Sequence, residues 1–513
     1  MASYLSPGIY VRETDFSFYV KQISTASAGM VGIAERGPIN KPVLVTSWEQ
    51  FVKKFGGYIA EGYLAYAARA FFDNGGSILY VCRVANYTDP TRRATLTAVR
   101  AEIVLADRSV LAGSPTLRVR AINEGSWGDN LTVDVEDGTR KSSTEFNLVV
   151  RHKGEVVEVW KDLSMDESAK NHVELAVNEK SGWITVEDED SASAAPSDRP
   201  RIGRFALANG DDGIEDMTDA DFSGDLSQKT GFYAFEEIDA LNILCVPGVA
   251  TAEVITSGIA YAEGRKDLLF IAETPMHLEP LEAVDFRKGQ GLYTHAAFNS
   301  SYAALYYPWL EISDPVTGKR KPVPPTGAVA GCIARSDEKT YVWYAPAGID
   351  RGRVFNAISV GYKTSRGERD VLYPEGVNVI AVFPDTGINI WGQRTLQSQP
   401  SALDRINVRR LMMYVEEALA ESSRFVVFEP NNPQTWRALI RLINPFMQDI
   451  KEKGGFYDFA VQCDAETNPQ AVTDRNEMVA RVFVKPTKTA EFVELNFVLT
   501  PTGGDFKEIF SNS

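Results

Sequence analysis

The chain has 513 residues, 44% of them hydrophobic and 24% charged, a globular composition that excludes disordered and fibrous proteins and provides for about three or four domains. Its 53 basic and 69 acidic residues leave a net charge of −16, a field that repels nucleic acid and anionic lipid. No apolar segment follows a basic start, no run nears the ~20 residues that span a bilayer, and Cys82, Cys245, Cys332 and Cys463 lack CxxC spacing. The expectation is a soluble, reduced, cytoplasmic protein with no disulfide framework or membrane insertion.

Residues 1–23 read as an extended arm: Pro7 bars a helix, Gly8 permits a turn, and Ile9, Tyr10 and Val11 favour an extended backbone. Residues 504–513, with Phe506 and Ile509, read as a second. Each looks like a strand without a partner, whose open N–H and C=O groups call for a neighbouring sheet edge.

Residues 24–97 read as α/β. A strand at 43–45 runs into Ser47, which has capping-box spacing with Gln50 for a helix ended by Gly56 and Gly57. A second helix carries Tyr63, Ala67, Ala70 and Phe71 and stops at Gly75; the strand at 78–82 is apolar on both faces and belongs inside a covered sheet. Residues 98–204 then alternate with period two at 117–122, 131–135, 146–151, 156–160 and 183–186, the pattern of a small β-sandwich or barrel. An acidic run at 187–190 and a linker at 191–197 mark its exit. The simplest organisation is an all-β insertion into an α/β domain that resumes at 205 and runs to 375. Within that domain a strand at 241–246, a helix over 252–263 and a strand at 268–272 form a βαβ unit, which predicts a parallel sheet. Residues 376–503 read as two helices and a β-meander. Val408, Leu411, Met412, Val415 and Leu419 carry the period of the first helix, residues 436–450 that of the second, and 479–484 and 492–499 alternate as strands.

Catalytic signatures are missing from this scaffold. No dinucleotide fingerprint, P-loop or nucleophile elbow occurs, and His152 and His172 fall in the β insertion, leaving His277 and His295 to the α/β body. Asp211, Asp212, Asp216, Asp219, Asp221 and Asp225 offer hard oxygen ligands for calcium but lack EF-hand spacing, and a solvated loop is the simpler reading. No catalytic, cofactor or metal residue is expected. One constellation is sharper: at about 100° per residue, Trp436, Leu439, Ile440, Ile443, Phe446, Met447 and Ile450 fill one arc, with Arg437, Arg441, Gln448 and Lys451 opposite. Asn432 and Pro433 start this helix, Pro445 should kink it and Gly454 ends it. Its basic stripe fits either an acidic partner or a solvated face with cations at the helix C-terminus.

The segments SPGIYVRE (6–13), GIAERGPINKPVLVTSWEQFVKKFGG (32–57), FFDNGGSILYVCRV (71–84), GSWGDNL (125–131), LANGDDG (207–213), PPTGAVAGCIARSDEKTYVWYAPAG (324–348), NVIAVFPDTGINIWGQRTL (378–396) and INVRRLMMYVEEALAESSRFVVFEPNNPQTW (406–436) stand in an order and spacing that resembles the contractile tail sheath proteins of bacteriophages and related bacterial injection systems. The resemblance implies an α/β and β multidomain fold: a subtilisin-like α/β body without protease chemistry, an outward β-sandwich or barrel insertion, and an α+β C-terminal core domain beside the tube. It implies a structural subunit assembled in the bacterial cytoplasm into six-fold rings, stacked helically around an inner tube, with baseplate and tail terminator proteins as further partners. The stack contracts to drive the tube through a cell envelope. Under this resemblance Arg437, Arg441 and Lys451 face the tube and the two arms pair with neighbouring subunits. A cytoplasmic α/β enzyme and a closed-shell capsid or scaffold protein are the alternatives. The first predicts a dominant pocket with convergent titratable groups.

Overall fold

The computed structural model describes residues 25–86, 98–109, 113–140, 142–215 and 217–494. The two arms, with Pro7, Gly8, Ile9, Tyr10, Val11, Phe506 and Ile509, lie outside the described residues.

The α/β body opens with β1 (Ser27–Gly32), buried along its whole length, and β2 (Val43–Val45), which leads into α1 (Trp48–Phe55). Ser47 Oγ accepts from Gln50 N at 3.3 Å, while Gln50 Oε1 accepts from Thr46 N at 3.0 Å. The capping exchange is thus displaced by one residue from a strict box. Gly56, at φ 85°, ends the helix. α2 (Leu64–Asp73) and β3 (Ile78–Arg83) follow.

An all-β unit comes next, with β4 (Glu102–Ala106), β5 (Pro115–Ala121), β6 (Leu131–Asp137), β7 (Glu145–His152), β8 (Glu155–Ser164), α3 (Val173–Val177), β9 (Ile184–Asp188) and β10 (Gly203–Ala206). Its sheets, ordered β10-β6-β7-β8 and β4-β5-β9, share one apolar core around Leu117, Val119, Val133, Phe146, Leu148 and Ile184. Alternation places Arg118 and Arg120 of β5 on the opposite face, where they pair with Glu102, Glu187 and Glu189. β10 pairs antiparallel with β6, and Ala208 and Asp211 bridge back to Glu102 and Val99. The unit therefore continues past the expected boundary at 204. Phe205 and Leu207 alternate inward with exposed neighbours, a signal too short to stand out in the sequence. Asn86 N donates to Gly213 O at 2.7 Å, so the chain leaves and re-enters the body at neighbouring points.

The body resumes with α4 (Asp219–Ser223), β11 (Ile243–Cys245), α5 (Ala252–Arg265), β12 (Leu269–Glu273), α6 (Pro280–Lys288), β13 (Ala303–Tyr307), β14 (Leu310–Ser313), β15 (Arg320–Val323), α7 (Thr326–Lys339), α8 (Gly348–Arg351), β16 (Ser359–Val360), α9 (Arg366–Leu372), β17 (Val377–Phe383) and β18 (Gly387–Ile390). Eight strands form one sheet in the order β18-β17-β13-β12-β11-β1-β3-β2. The six inner strands are parallel and the two edge strands antiparallel. Apolar clusters cover both faces, one formed with α1, α2 and α7, the other with α5 and α6, which is why the inner strands are mostly apolar on both faces. α7 lies tight on α2 because Gly327 and Gly331 carry no side chain. A Cβ there would stand 2.3 Å from Ala67 O and 2.4 Å from Phe71 O, respectively.

The expected boundary at 375 is also corrected, since β17 and β18 complete the body's sheet. Apart from Asn378, the run Val377–Phe383 is apolar and buried from Val377 to Ala381, the character of a strand inside a covered sheet.

The C-terminal unit comprises α10 (Ile406–Ser422), α11 (Pro433–Glu452), β19 (Phe456–Gln462), α12 (Gln470–Thr473) and β20 (Arg481–Pro486). Leu411, Val415, Trp436, Leu439, Ile443 and Met447 form its core. In α10 it is Met413, not Met412, that is buried. β20 pairs antiparallel with β19, where the sequence suggested 492–499 as its partner. A bulge between Phe456 and Asp458 breaks the alternation of β19 and hides it from a period-two search. Residues 492–494 form no strand, and 495–499 lie outside the described residues.

Candidate assembly surface

Two arginines of α10 and its approach clamp the ends of the described chain. Arg410 makes a two-pronged ion pair with Asp337 of α7, at 2.8 and 2.6 Å, and donates to Thr25 O at 2.6 Å. Both side chains are buried. Arg405 holds Glu491 in a second fork, at 2.7 and 2.8 Å, joined by Gln393 at 3.0 Å. Burial pushes the Glu491 carboxyl up, but the Arg405 and Gln393 hydrogen bonds outweigh it and hold the group below the usual carboxylate range. Thr25 and Glu491 are the points from which the chain continues toward the two arms, so both roots are tied to one helix. The sequence hint was slight: an Arg409-Arg410 pair inside an apolar-periodic helix.

α11 is capped by Asn432, whose Oδ1 accepts from Gln434 N and Thr435 N, and runs through Pro445. Arg437 and Arg441 are exposed, one turn apart, and their side chains make no ion pair or hydrogen bond among the described residues. Lys451 differs. Its ammonium pairs with Asp458 at 2.8 Å and lies 5.9 Å from the Phe459 ring, so the free basic stripe shortens to the two arginines. Leu442 joins the buried face, while Ile440 and Phe446 are only half-buried.

β19 and β20 form a two-stranded sheet, so each has an outer edge without a strand among the described residues. Beside β19, Phe459, Ala460 and Val461 face Asn444, Pro445 and Gln448 of α11 across an open groove of about 540 Å³. Val482 and Val484 pack inward, while Arg481, Phe483 and Lys485 are exposed.

A larger cleft of about 560 Å³ opens where α9, β17 and the turn after β18 meet residues 489–492. The Phe383 and Trp391 rings, 4.6 Å apart, line it with Arg366 and Arg369. On another surface, the link between α10 and α11 carries Phe428, fully exposed at φ 72°. That conformation costs a non-glycine residue about 1–3 kcal/mol. It is held by Val427 N donating to Arg424 O and Glu429 N donating to Val426 O.

Several polar groups of the interior serve the structure. Glu273, at the C-terminal end of β12, is buried and accepts from Gly248 N at 2.5 Å and Thr326 Oγ1 at 2.8 Å; burial pushes its carboxyl up to about 8. Asp212 accepts from Ser126, and Asp221 accepts from Thr218 N, so these aspartates serve turns and caps. His172 stands 3.5 Å from Asp188, and His295 Nδ1 lies 2.8 Å from Ala296 O. All four cysteines are buried free thiols. Among the described residues no cluster of His, Cys, Asp or Glu could hold a metal ion, and no helix is long and apolar enough to cross a membrane.

The architecture is that of tail sheath proteins. A sheath tail protein from Listeria innocua superposes with a TM-score of 0.60 over 91% of this chain and 96% of its own, at 12% identity. An extracellular contractile injection system sheath complex in its contracted state gives 0.56 over 99% and 100%, at 17% identity. At such identities the likeness concerns the fold. In sequence, residues 217–396 match the phage tail sheath protein central domain and residues 398–500 the phage tail sheath C-terminal domain. Together these take in more than half of the chain, which belongs to the phage tail sheath family. The tail sheath protein of Enterobacteria phage T4 is 32% identical over 303 residues, covering 56% of this chain and 46% of that protein. That of Vibrio phage KVP40 is 29% identical over 394 residues, covering 72% and 57%. The chain thus spans about half the length of these curated relatives.

Proposed function

We propose that this chain is the repeating structural subunit of a contractile sheath, polymerised as stacked six-fold rings around an inner tube and shortening to drive that tube through a cell envelope. The observation that carries the reading is the paired family match from 217 to 500, with the fold likeness to sheath complexes in support. On this reading the protein has no catalytic role, is assembled in the bacterial cytoplasm, and meets baseplate and tail terminator proteins at the ends of the stack. The body is read as subtilisin-like, which its mostly parallel, two-sided sheet supports, and the β unit as an outward protrusion.

The arms, through Pro7, Gly8, Ile9, Tyr10, Val11, Phe506 and Ile509, pair with the C-terminal units of neighbours, where β19 and β20 offer edges. Heterologous strand pairing that does not close on itself generates helical stacks. It also lets bodies rotate without subunits dissociating. Arg437 and Arg441 grip the tube; Lys451, held by Asp458, does so less. Contraction is downhill when body-to-body contacts improve in the short state, which makes the extended stack a kinetic trap.

Electron microscopy of the purified full chain, alone and with its tube protein, tests this. Tubes with six-fold end views are expected. Closed shells would favour a capsid or scaffold, and dispersed low-order oligomers an enzyme.

A further inference from the structure

We propose that the tip of the α10–α11 link, Val427, Phe428 and Glu429, seats in the Trp391 cleft of a second copy of this chain. The inference rests on the self-assembly reading above but names a contact between bodies that does not involve the arms. The knob and the hole carry complementary chemistry. Phe428 offers a whole aromatic ring to solvent beside the exposed Val427, and the cleft offers Phe383 and Trp391 as an aromatic floor, a pairing in which offset or edge-on rings are favoured. Glu429 makes no ion pair or hydrogen bond through its carboxylate among the described residues, and neither does the Arg366 guanidinium at the cleft wall. Arg369 stands beside it, its guanidinium 5.7 Å from the Phe383 ring and donating to Thr364 O, without a carboxylate partner. The one exposed carboxylate on the same wall, Asp370, is outnumbered by these two arginines. An aromatic followed by a carboxylate therefore matches an aromatic floor rimmed by arginine, the composition of interface anchors. Phe428 is fully exposed in its own chain, so the contact joins two copies through different surfaces, the kind that builds open stacks.

Charge exchange and cross-linking of the full chain test the contact. Phe428→Ala is expected to raise the concentration needed for polymer about tenfold or more, the scale of a buried aromatic anchor. Glu429→Arg and Arg366→Glu should each weaken polymerisation, and their combination should recover much of the loss. Val427→Cys and Ala490→Cys, placed at the knob and the cleft rim in separate preparations, should be joined by a short bismaleimide only when mixed; the native cysteines, all buried, do not compete. Yields no higher than from Val427→Cys mixed with Leu292→Cys, a control at an exposed residue of α6's following turn, would overturn the proposal. So would loss of polymer from Arg366→Glu alone with Phe428→Ala and Glu429→Arg unaffected, since another segment, such as residues 495–513, would then occupy the cleft. Specific cross-links without tubes would reject the sheath reading and leave the contact standing; tubes without specific cross-links would do the reverse.

Discussion

Glu273 shows how one buried group couples this fold to pH. Burial raises its carboxyl from 4.5 to about 8, so between those values the folded chain binds a proton that the unfolded chain does not. The group's contribution to stability is therefore fully present below about 4.5 and lost as pH rises through about 8, a change on the order of a few kcal/mol. Glu273→Gln, which keeps the acceptor for Gly248 N, should flatten this decline. Thermal melts from about pH 5 to pH 9 should show the variant gaining on the wild type as pH rises; parallel curves would mean the carboxyl titrates normally. Local signals such as Ser47 and Asn432 are legible in the sequence because a cap bonds to residues two or three positions away. Arg410 is not, because its partners Asp337 and Thr25 arrive from other parts of the chain.

At the scale of elements, α11 is legible in the sequence almost completely, since a 20-residue helix repeats its period five times. The surroundings of its cations are not: Lys451 meets Asp458 only because β19 folds back beside the helix. Arg437 and Arg441 are left as the pair to test. Reversing both to glutamate should impair sheathing of the tube, more so at low salt, while circular dichroism of the monomer stays unchanged. Exposed pairs are individually weak and screened, so the grip depends on many copies. Normal sheathing at all salt concentrations would make the stripe a solvated face. For the arms, proline is the sharper probe because it removes one ladder donor and leaves the segment in place. Ile9→Pro and Phe506→Pro should give folded monomers that sediment normally but form no long tubes. Unchanged polymers from both variants would show that the arms do not link subunits.

For the whole molecule, the β unit is the part with its own two sheets and its own core. Its two connections meet at the Asn86–Gly213 hydrogen bond, and Arg36 of the body stacks 4.3 Å from the Trp183 ring. Replacing residues 87–212 by a short Gly-Ser bridge should therefore leave a soluble chain that still polymerises, judged by electron microscopy beside the full chain. A soluble deletion that never forms tubes would place the unit in the lattice.

Period and punctuation carried what the sequence determined alone. Apolar runs between glycine turns marked the inner strands β3, β11 and β12, alternation marked β5 to β8, and the 3.6-residue repeat marked α10 and α11, because each signal is written in residues that are neighbours in the chain. Tertiary structure decided what depends on distant partners. β17 belongs to the body because it pairs with β13, and β10 to the β unit because it pairs with β6. The cleft beside Trp391 exists only where residues near 370, 390 and 490 converge, and no local pattern encodes that meeting, since the free energy that brings those segments together is shared across the whole packed core.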